Sequence, residues 1–394
     1  MTAGIILDIV LVVALLVAIV AGFRRGFLRT VGSLIGLVAG GLAALLLMPV
    51  VASFVPAPGW NVLVALLVGL FIVGVGVSIG SWFGSLLRRP VRKLKLGPVD
   101  RLLGALANGV VALLVMLLLA TSASGLGVPA LTQAVASSTV LRTLEGLTPA
   151  PVEGGIARFR ALVISNGIPT VLGAAGLPQQ GQIPDADTNT PALRKAAQSV
   201  TRITANSPMC GTRSSGSGFV IDDGLVMTNA HVVAGATDAV VEVPGELPRA
   251  ASLVYFDPEN DIAVLSVRGL DAPALPFAPD PNAGSTAFFQ GYPYGGPFVS
   301  RSAGVLGTGE IQVQDIYNQK DVTRSVTSLA AHVEPGNSGG PLLTSDGAVA
   351  GMIFARAEGG NDIGFALSME EITPVLAQAG SFSSAVPSGS CSAH

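Results

Sequence analysis

Cysteine, histidine, aromatic and charged residues are all scarce in this 394-residue chain: two Cys, three His, 5% aromatic and 12% charged. The scarcity excludes several chemistries. Structural zinc needs Cys and His ligands at short, repeated spacings, whereas His231, His332 and His394 are scattered and Cys210 and Cys391 lie far apart. No metal and no cofactor is expected. The Gly-x-x-x-x-Gly-Lys-Ser/Thr loop that cradles nucleotide phosphates is missing. The C-terminal part is too acidic to favour nucleic acid.

Long apolar runs are what the N-terminal part has instead. Residues 5–23, 31–55, 62–83 and 102–121 each approach the ~20 residues a helix needs to cross the ~30 Å hydrocarbon layer. No basic stretch precedes the first run and three more follow, so it reads as a span rather than a cleaved signal. Residues 1–122 hold 9 Lys/Arg against 2 Asp/Glu, and the remainder 13 against 23, a balance of +7 against −10. The expectation is a four-helix transmembrane domain joined to an acidic soluble part.

Basic residues mark the cytoplasmic loops. Arg24, Arg25 and Arg29 lie between the first two runs; Arg88, Arg89, Arg92, Lys93, Lys95 and Arg101 lie between the third and fourth. Both ends of the helical part then face outward, and everything after residue 121 is expected on the extracytoplasmic, periplasmic side of the cell membrane. That compartment is oxidising and would let Cys210 and Cys391 pair, the alternative being two free thiols. Closing so long a loop contributes roughly 5 kcal/mol at most in the chain-entropy model. Gly32-xxx-Gly36-xxx-Gly40 and Gly76-xxx-Gly80-xxx-Gly84 have the spacing that lets helix backbones approach closely, and Asp8 and Asn108 are the strongly polar residues near the spans.

Residues 123–198 read as a linker. Segments 131–147 and 152–165 carry spaced apolar residues suited to amphipathic helices, and 177–187 has the Pro, Gly and polar content of a flexible tether and a candidate site of self-cleavage. From 199 onward short apolar or alternating runs at 218–221, 225–228, 239–243, 262–267, 349–354 and 363–367 predict strands, with a hairpin turn at Asp222-Asp223-Gly224. Many short strands separated by glycine-rich turns indicate an antiparallel all-β architecture in residues 199–394.

Three motifs within that stretch carry chemistry. Thr228-Asn229-Ala230-His231 supplies a histidine, Asn260-Asp261-Ile262 an acidic residue opening a strand, and Gly336-Asn337-Ser338-Gly339-Gly340-Pro341 a serine in a glycine-rich turn. Serine is a poor nucleophile unless a neutral imidazole takes its proton, and that imidazole needs a carboxylate to fix its tautomer. The catalytic residues expected are therefore His231 as base, Asp261 as its orienter and Ser338 as nucleophile, in the chain order His, Asp, Ser. Asp257, Glu259 and Asp271 are the alternative carboxylates. The backbone N–H groups of Gly336 and Ser338 form the expected oxyanion hole.

Two resemblances follow. Gly22-Phe23-Arg24-Arg25-Gly26-Phe27 with Val99-Asp100-Arg101-Leu102-Leu103-Gly104 resembles the colicin V production protein family. Gly216-Ser217-Gly218-Phe219-Val220-Ile221 and the three catalytic motifs resemble chymotrypsin-like serine proteases of the HtrA-type branch. That second resemblance implies two six-stranded β-barrels with the catalytic groups between them. It also implies substrate-binding positions at His332, Ile353, Phe354 and Ala355, and a preference for small or medium apolar side chains. HtrA-type enzymes usually continue into PDZ domains, and none is expected here. The pairing of both parts resembles the actinobacterial membrane-anchored acid-resistance serine proteases, which implies a bridged extracytoplasmic protease able to cleave itself. The implied partners are envelope proteins or peptides and the lipid bilayer. A non-catalytic envelope scaffold, and a transporter regulated by the β domain, are the alternative functions; intact motifs and sparse polar groups in the spans argue against them.

Overall fold

The structure, a computed structural model, describes residues 3–53, 60–93, 97–124, 138–148, 169–171, 177–178, 180–210, 212–357 and 362–393, with isolated positions at 135, 152 and 155. It divides into two compact units, Met1–Leu118 and Leu119–His394.

The first unit consists of α1 (Ala3–Arg25), α2 (Phe27–Ser53), α3 (Trp60–Lys93) and the body of α4 (Gly97–Ser124). All four are long and apolar enough to cross a membrane, and their leucines, isoleucines and valines are largely exposed, as lipid-facing residues must be. The predicted loop at Arg24–Arg29 shrinks to a single non-helical residue, Gly26, between α1 and α2. The glycine stripes of α2 and α3 face each other. A Cβ at Gly80 would lie 3.0 Å from Gly36 Cα, and one at Gly84 would lie 2.8 Å from Arg29 Cα, so no larger residue fits without moving a helix. α1 meets α4 in the same way: a Cβ at Gly104 would lie 2.7 Å from Gly26 Cα. Asn108 Nδ2 donates to Ala18 O at 2.6 Å, and Asp100 accepts from the Leu28 N–H at 3.2 Å at the start of α2. The polar groups here tie helices together.

In the second unit α5 (Thr139–Leu147) answers to the C-terminal half of the expected 131–147 helix. The expected helix at 152–165 lies outside the described residues, apart from the isolated positions 152 and 155. A two-residue strand, β1 (Thr170–Val171), and a short helix, α6 (Pro191–Ala197), precede the barrels.

The first barrel consists of β2 (Val200–Ser207), β3 (Thr212–Asp222), β4 (Leu225–Thr228), β5 (Asp238–Glu242), β6 (Arg249–Asp257) and β7 (Ile262–Val267), closed in the order β2-β3-β4-β7-β6-β5. The second consists of β8 (Thr286–Gly291), β9 (Val299–Gln314), β10 (Asp321–Ala330), β11 (Pro341–Leu343), β12 (Val349–Ala357) and β13 (Ile363–Leu367). Its order β12-β11-β8-β9-β10-β13 is closed by a β12–β13 pairing. Both barrels therefore have the same winding. Each has its own apolar filling, and a third cluster joins Phe219, Met227 and Ile262 of the first to Val326, Phe354 and Phe365 of the second. Each such side chain contributes about 1.5–3 kcal/mol by leaving water.

The stretch 177–187 is no free tether. It lies along the second barrel, where Ser328 Oγ donates to Pro178 O at 2.8 Å and Ser302 Oγ to Pro184 O at 2.5 Å. Glycines of β9 leave room for it: a Cβ at Gly304 would lie 2.8 Å from Gln182 O, and one at Gly309 would lie 3.2 Å from a Leu177 methyl. Upstream, Arg356 N donates to Pro169 O at 3.1 Å, and β1 pairs with β12 in parallel.

Beyond β13, α8 is the helix Met369–Leu376; the four-residue helix Ala230–Val233 that follows β4 is α7. The tail after α8 returns to the first barrel. Val386 N donates to Leu253 O at 2.9 Å, Gly235 N to Ser388 O at 2.9 Å, and a disulfide joins Cys391 to Cys210.

Candidate active site

β4 ends at Thr228, whose hydroxyl donates to Ser217 O at 2.7 Å, and the extended Asn229 turns the chain into α7. The short helix presents His231, 8% exposed, toward the turn between β6 and β7. There Asp261 is 1% exposed and has φ 58°, a left-handed conformation that costs a residue with a Cβ about 1–2 kcal/mol. Its neighbours hold it. Asn229 Nδ2 donates to Asp261 O at 2.9 Å, the His231 N–H donates to Asp261 Oδ1 at 2.9 Å, and His231 Nδ1 meets Oδ2 at 2.8 Å. Both carboxylate oxygens are thus bonded to one residue. The contact puts the imidazole proton on Nδ1 and leaves Nε2 as the acceptor. Burial pushes the Asp261 carboxyl up, but His231 beside it and Arg324 outweigh burial and hold it below the ordinary carboxylate value.

Of the alternative carboxylates, Asp257 and Glu259 are engaged elsewhere, and His231 bonds to Asp261 instead. Asp257 Oδ1 accepts the N–H groups of Glu259 and Asn260, and Glu259 pairs with Lys320 at 2.6 Å. The Asp271 N–H bonds Glu246.

Ser338 lies on the connection between β10 and β11, 3% exposed. Gly336 and Gly339 have φ 92° and 83°, which L side chains rarely adopt, and this explains why the turn is glycine-rich. Carbonyls of the turn are taken up by the fold. Tyr294 N donates to Pro335 O, Ser217 Oγ to Gly336 O, Gly340 N to Asn337 O and Ser217 N to Ser338 O. The amides of Gly336 and Ser338, by contrast, donate to no group among the described residues. Both amides are therefore free to donate, as an oxyanion hole requires of its members.

The turn and the histidine converge on β3. A Cβ at Gly216 would lie 2.7 Å from a Val232 methyl and 3.1 Å from Ser338 O, and one at Gly339 would lie 3.2 Å from Asn229 N. Among the described residues, the Ser338 hydroxyl and the His231 ring form no hydrogen bond with each other in this state. Such bonds often tighten only when substrate arrives.

Of the expected substrate-binding residues, Ile353, Phe354 and Ala355 are 0–1% exposed, the first inside the second barrel and the other two in the cluster that joins the barrels. What Ile353 gives the site is backbone: its carbonyl accepts from Gly339 N at 2.8 Å and its N–H donates to Gly340 O at 2.9 Å. His332 is on the rim, 56% exposed, with Nδ1 2.7 Å from Asp362 and Nε2 3.7 Å from Glu334. Glu334 is itself held by Arg301 at 2.6 Å. Sequence reading did not single out Ser217, Asn229 or Arg324. The first two sit inside quoted motifs, whereas Arg324 has no local signal. Among the described residues no cluster has the makings of a metal site.

Comparison with known proteins agrees with both units. Residues 216–352 match the trypsin-like peptidase domain family and residues 7–149 the colicin V production protein family. Serine protease Rv3671c of Mycobacterium tuberculosis is 33% identical over 362 residues, covering 90% of this chain and 91% of that one. A probable periplasmic DegP-like serine endoprotease of Halomonas elongata is 36% identical over 172 residues, 42% of this chain and 35% of its own. The crystal structure of the active form of the Rv3671c protease superposes with a TM-score of 0.52 at 35% identity, covering 57% of this chain and 95% of that structure. The chain therefore belongs to the family of membrane serine proteases that join a colicin V production-type helical unit to a trypsin-like peptidase domain.

Proposed function

We propose that Ser338, His231 and Asp261 form the catalytic triad of this endopeptidase. Ser338 Oγ attacks the carbonyl carbon of the scissile peptide bond while its proton passes to His231 Nε2. Negative charge gathers on the former carbonyl oxygen, where the Gly336 and Ser338 amides receive it. Collapse breaks the C–N bond, the imidazolium returns the proton to the leaving amine, and an acyl-enzyme remains on Ser338. Water, deprotonated by the same imidazole, then releases the acid and restores the hydroxyl. Asp261 stays ionised throughout and stabilises the imidazolium.

The observation that carries this reading is the pair of hydrogen bonds from His231 to the Asp261 carboxylate, with the unpaired amides of Gly336 and Ser338. His332 lies at the rim of the substrate site, and the strand from Ile353 to Ala355 supports the Ser338 turn through the Ile353 backbone. The catalytic domain, residues 199–394, works on the outer face of the membrane on proteins of the envelope in acid or envelope stress. The helical domain, residues 1–122, anchors it, and the 123–198 linker is where self-processing occurs. Supporting the orientation are the basic residues between the first and second and between the third and fourth helices, and a cystine, which suits an oxidising compartment.

Full-length protein in detergent, exposed to a fluorophosphonate and to an unstructured protein, tests the assignment. Labelling and cleavage in the wild type, both lost in Ser338→Ala, are expected; labelling that persists in the variant overturns it.

A further inference from the structure

β10 of the second barrel carries an arginine at the start of its buried run, Arg324–Ala330. Arg324 is 3% exposed, sandwiched between the barrels. Its Nε donates to Glu259 O at 2.8 Å, on the first barrel's turn between β6 and β7. Its Cζ stands 5.7 Å from the centre of the Phe354 ring. Nη2 is buried with no hydrogen-bond partner among the described residues. A buried guanidinium with an unpaired donor is costly, and an apolar residue of similar size would remove that cost. Retaining it calls for a reason outside stability.

The turn it grips supplies one. Glu259 is two residues before Asp261, whose left-handed backbone must be held against relaxation. The β9–β10 hairpin also touches this turn through Ile316 N, which donates to Pro258 O at 3.3 Å, and through Lys320 on Glu259. Burial pulls the guanidinium below its ordinary pKa, and four carboxyl groups oppose it: Asp261 on the turn, Glu371 on α8, Asp257 at the end of β6 and Asp315 just after β9.

We propose that Arg324 is a positioning residue for the Asp261–His231 pair, a cation carried by one barrel that fixes the acidic turn of the other. The inference rests on the triad reading above. In that role the barrel bearing the nucleophile also sets the geometry and charge of the base's partner, so the pair is correct only when both barrels are docked. Arg324 lowers the Asp261 carboxyl, after the larger effects of burial and of His231 itself. A fixed cation beside the pair also opposes its taking up a proton, so removing that cation makes protonation easier.

The test compares full-length wild type, Arg324→Met, Arg324→Lys and Ser338→Ala in detergent, following kcat/KM for an unstructured peptide from about pH 5 to 9. Methionine keeps the packing over Phe354 and removes the charge. The expected result for Arg324→Met is a fall of roughly tenfold or more near pH 6, with the acidic limb displaced upward by about half a pH unit or more. Arg324→Lys returns the limb to the wild-type position. In an Asp261→Asn background the methionine substitution changes the rate less than about twofold, because its partner is already lost. If Arg324→Met does not fold, Arg324→Gln replaces it with the same expectation. A wild-type profile in the uncharged variant overturns the inference, and so does an equal loss at every pH with an unmoved limb. Loss of hydrolysis in Ser338→Ala beside an unmoved Arg324→Met profile overturns this inference alone; hydrolysis that survives in Ser338→Ala overturns the triad and this inference together.

Discussion

The two barrels share one winding, and each places a histidine and an aspartate at matching points of it. In the first barrel His231 sits on the connection from third to fourth strand and Asp261 on that from fifth to sixth; in the second, His332 and Asp362 occupy the corresponding connections. Both imidazoles use Nδ1, at 2.8 and 2.7 Å from a carboxylate oxygen. The surroundings differ. The first pair is 8% and 1% exposed and has a second bond from the His231 backbone; the second is 56% and 58% exposed. Burial and a doubly anchored carboxylate, rather than residue type, separate a pair fit for catalysis from an ordinary surface contact, which is worth about 0–1 kcal/mol.

The contrast can be broken in several ways. Replacing Ser338 or His231 with Ala lowers kcat by about 10⁴-fold or more, measured on the unstructured substrate with the fold checked by circular dichroism. Asp261→Asn lowers it by about 10⁴-fold, because the amide favours the wrong tautomer. Gly336→Ala forces a Cβ into φ 92° and within 2.6 Å of Tyr294 N, so a donor of the proposed oxyanion hole is displaced and kcat falls by about 10²–10³. His332→Ala and Asp362→Ala change kcat/KM by less than about twofold at neutral pH, which a single comparison of progress curves can establish. A tenfold loss there would erase the contrast between the barrels.

Stability against pH sharpens it further. Since the folded-state value of Asp261 is lowered, its ionised form stabilises the fold fully above about pH 4, the unfolded carboxylate value, and that stabilisation is lost as pH falls through the lower folded value. Urea midpoints of wild type and Asp261→Asn should differ by a constant amount above about pH 4 and converge below it.

The legible parts of this molecule were those with strong local patterns. The helices follow from apolar runs, and 225–228, 262–267 and 363–367 match β4, β7 and β13 end to end because each is a short, mostly apolar run bounded by polar or turn residues. β9 and β10 were not expected. Gly304, Gly307 and Gly309 dilute the pattern of β9, since the 177–184 segment needs that space, and β10 carries Thr, Ser and Arg324 inside. The residues proposed as a triad stand in three motifs whose residue types the chemistry itself demands. Arg324 lies 63 residues after Asp261 and acts across two barrels, so no local spacing reveals it. The buried side chains of Ile353, Phe354 and Ala355 were hidden for a related reason, since facing inward or outward on a closed strand depends on the curvature of the sheet.

The cystine has a topological consequence. Cys210 and Cys391 both lie C-terminal to the 123–198 stretch, so the covalent ring they close never includes a membrane helix. A cut anywhere between residues 124 and 198 breaks every covalent link from the helices to the bridged domain, and a cut beyond residue 187 leaves only the hydrogen bonds of the 169–184 segment to hold the two together, while a nick inside the ring leaves two fragments still joined by the cystine.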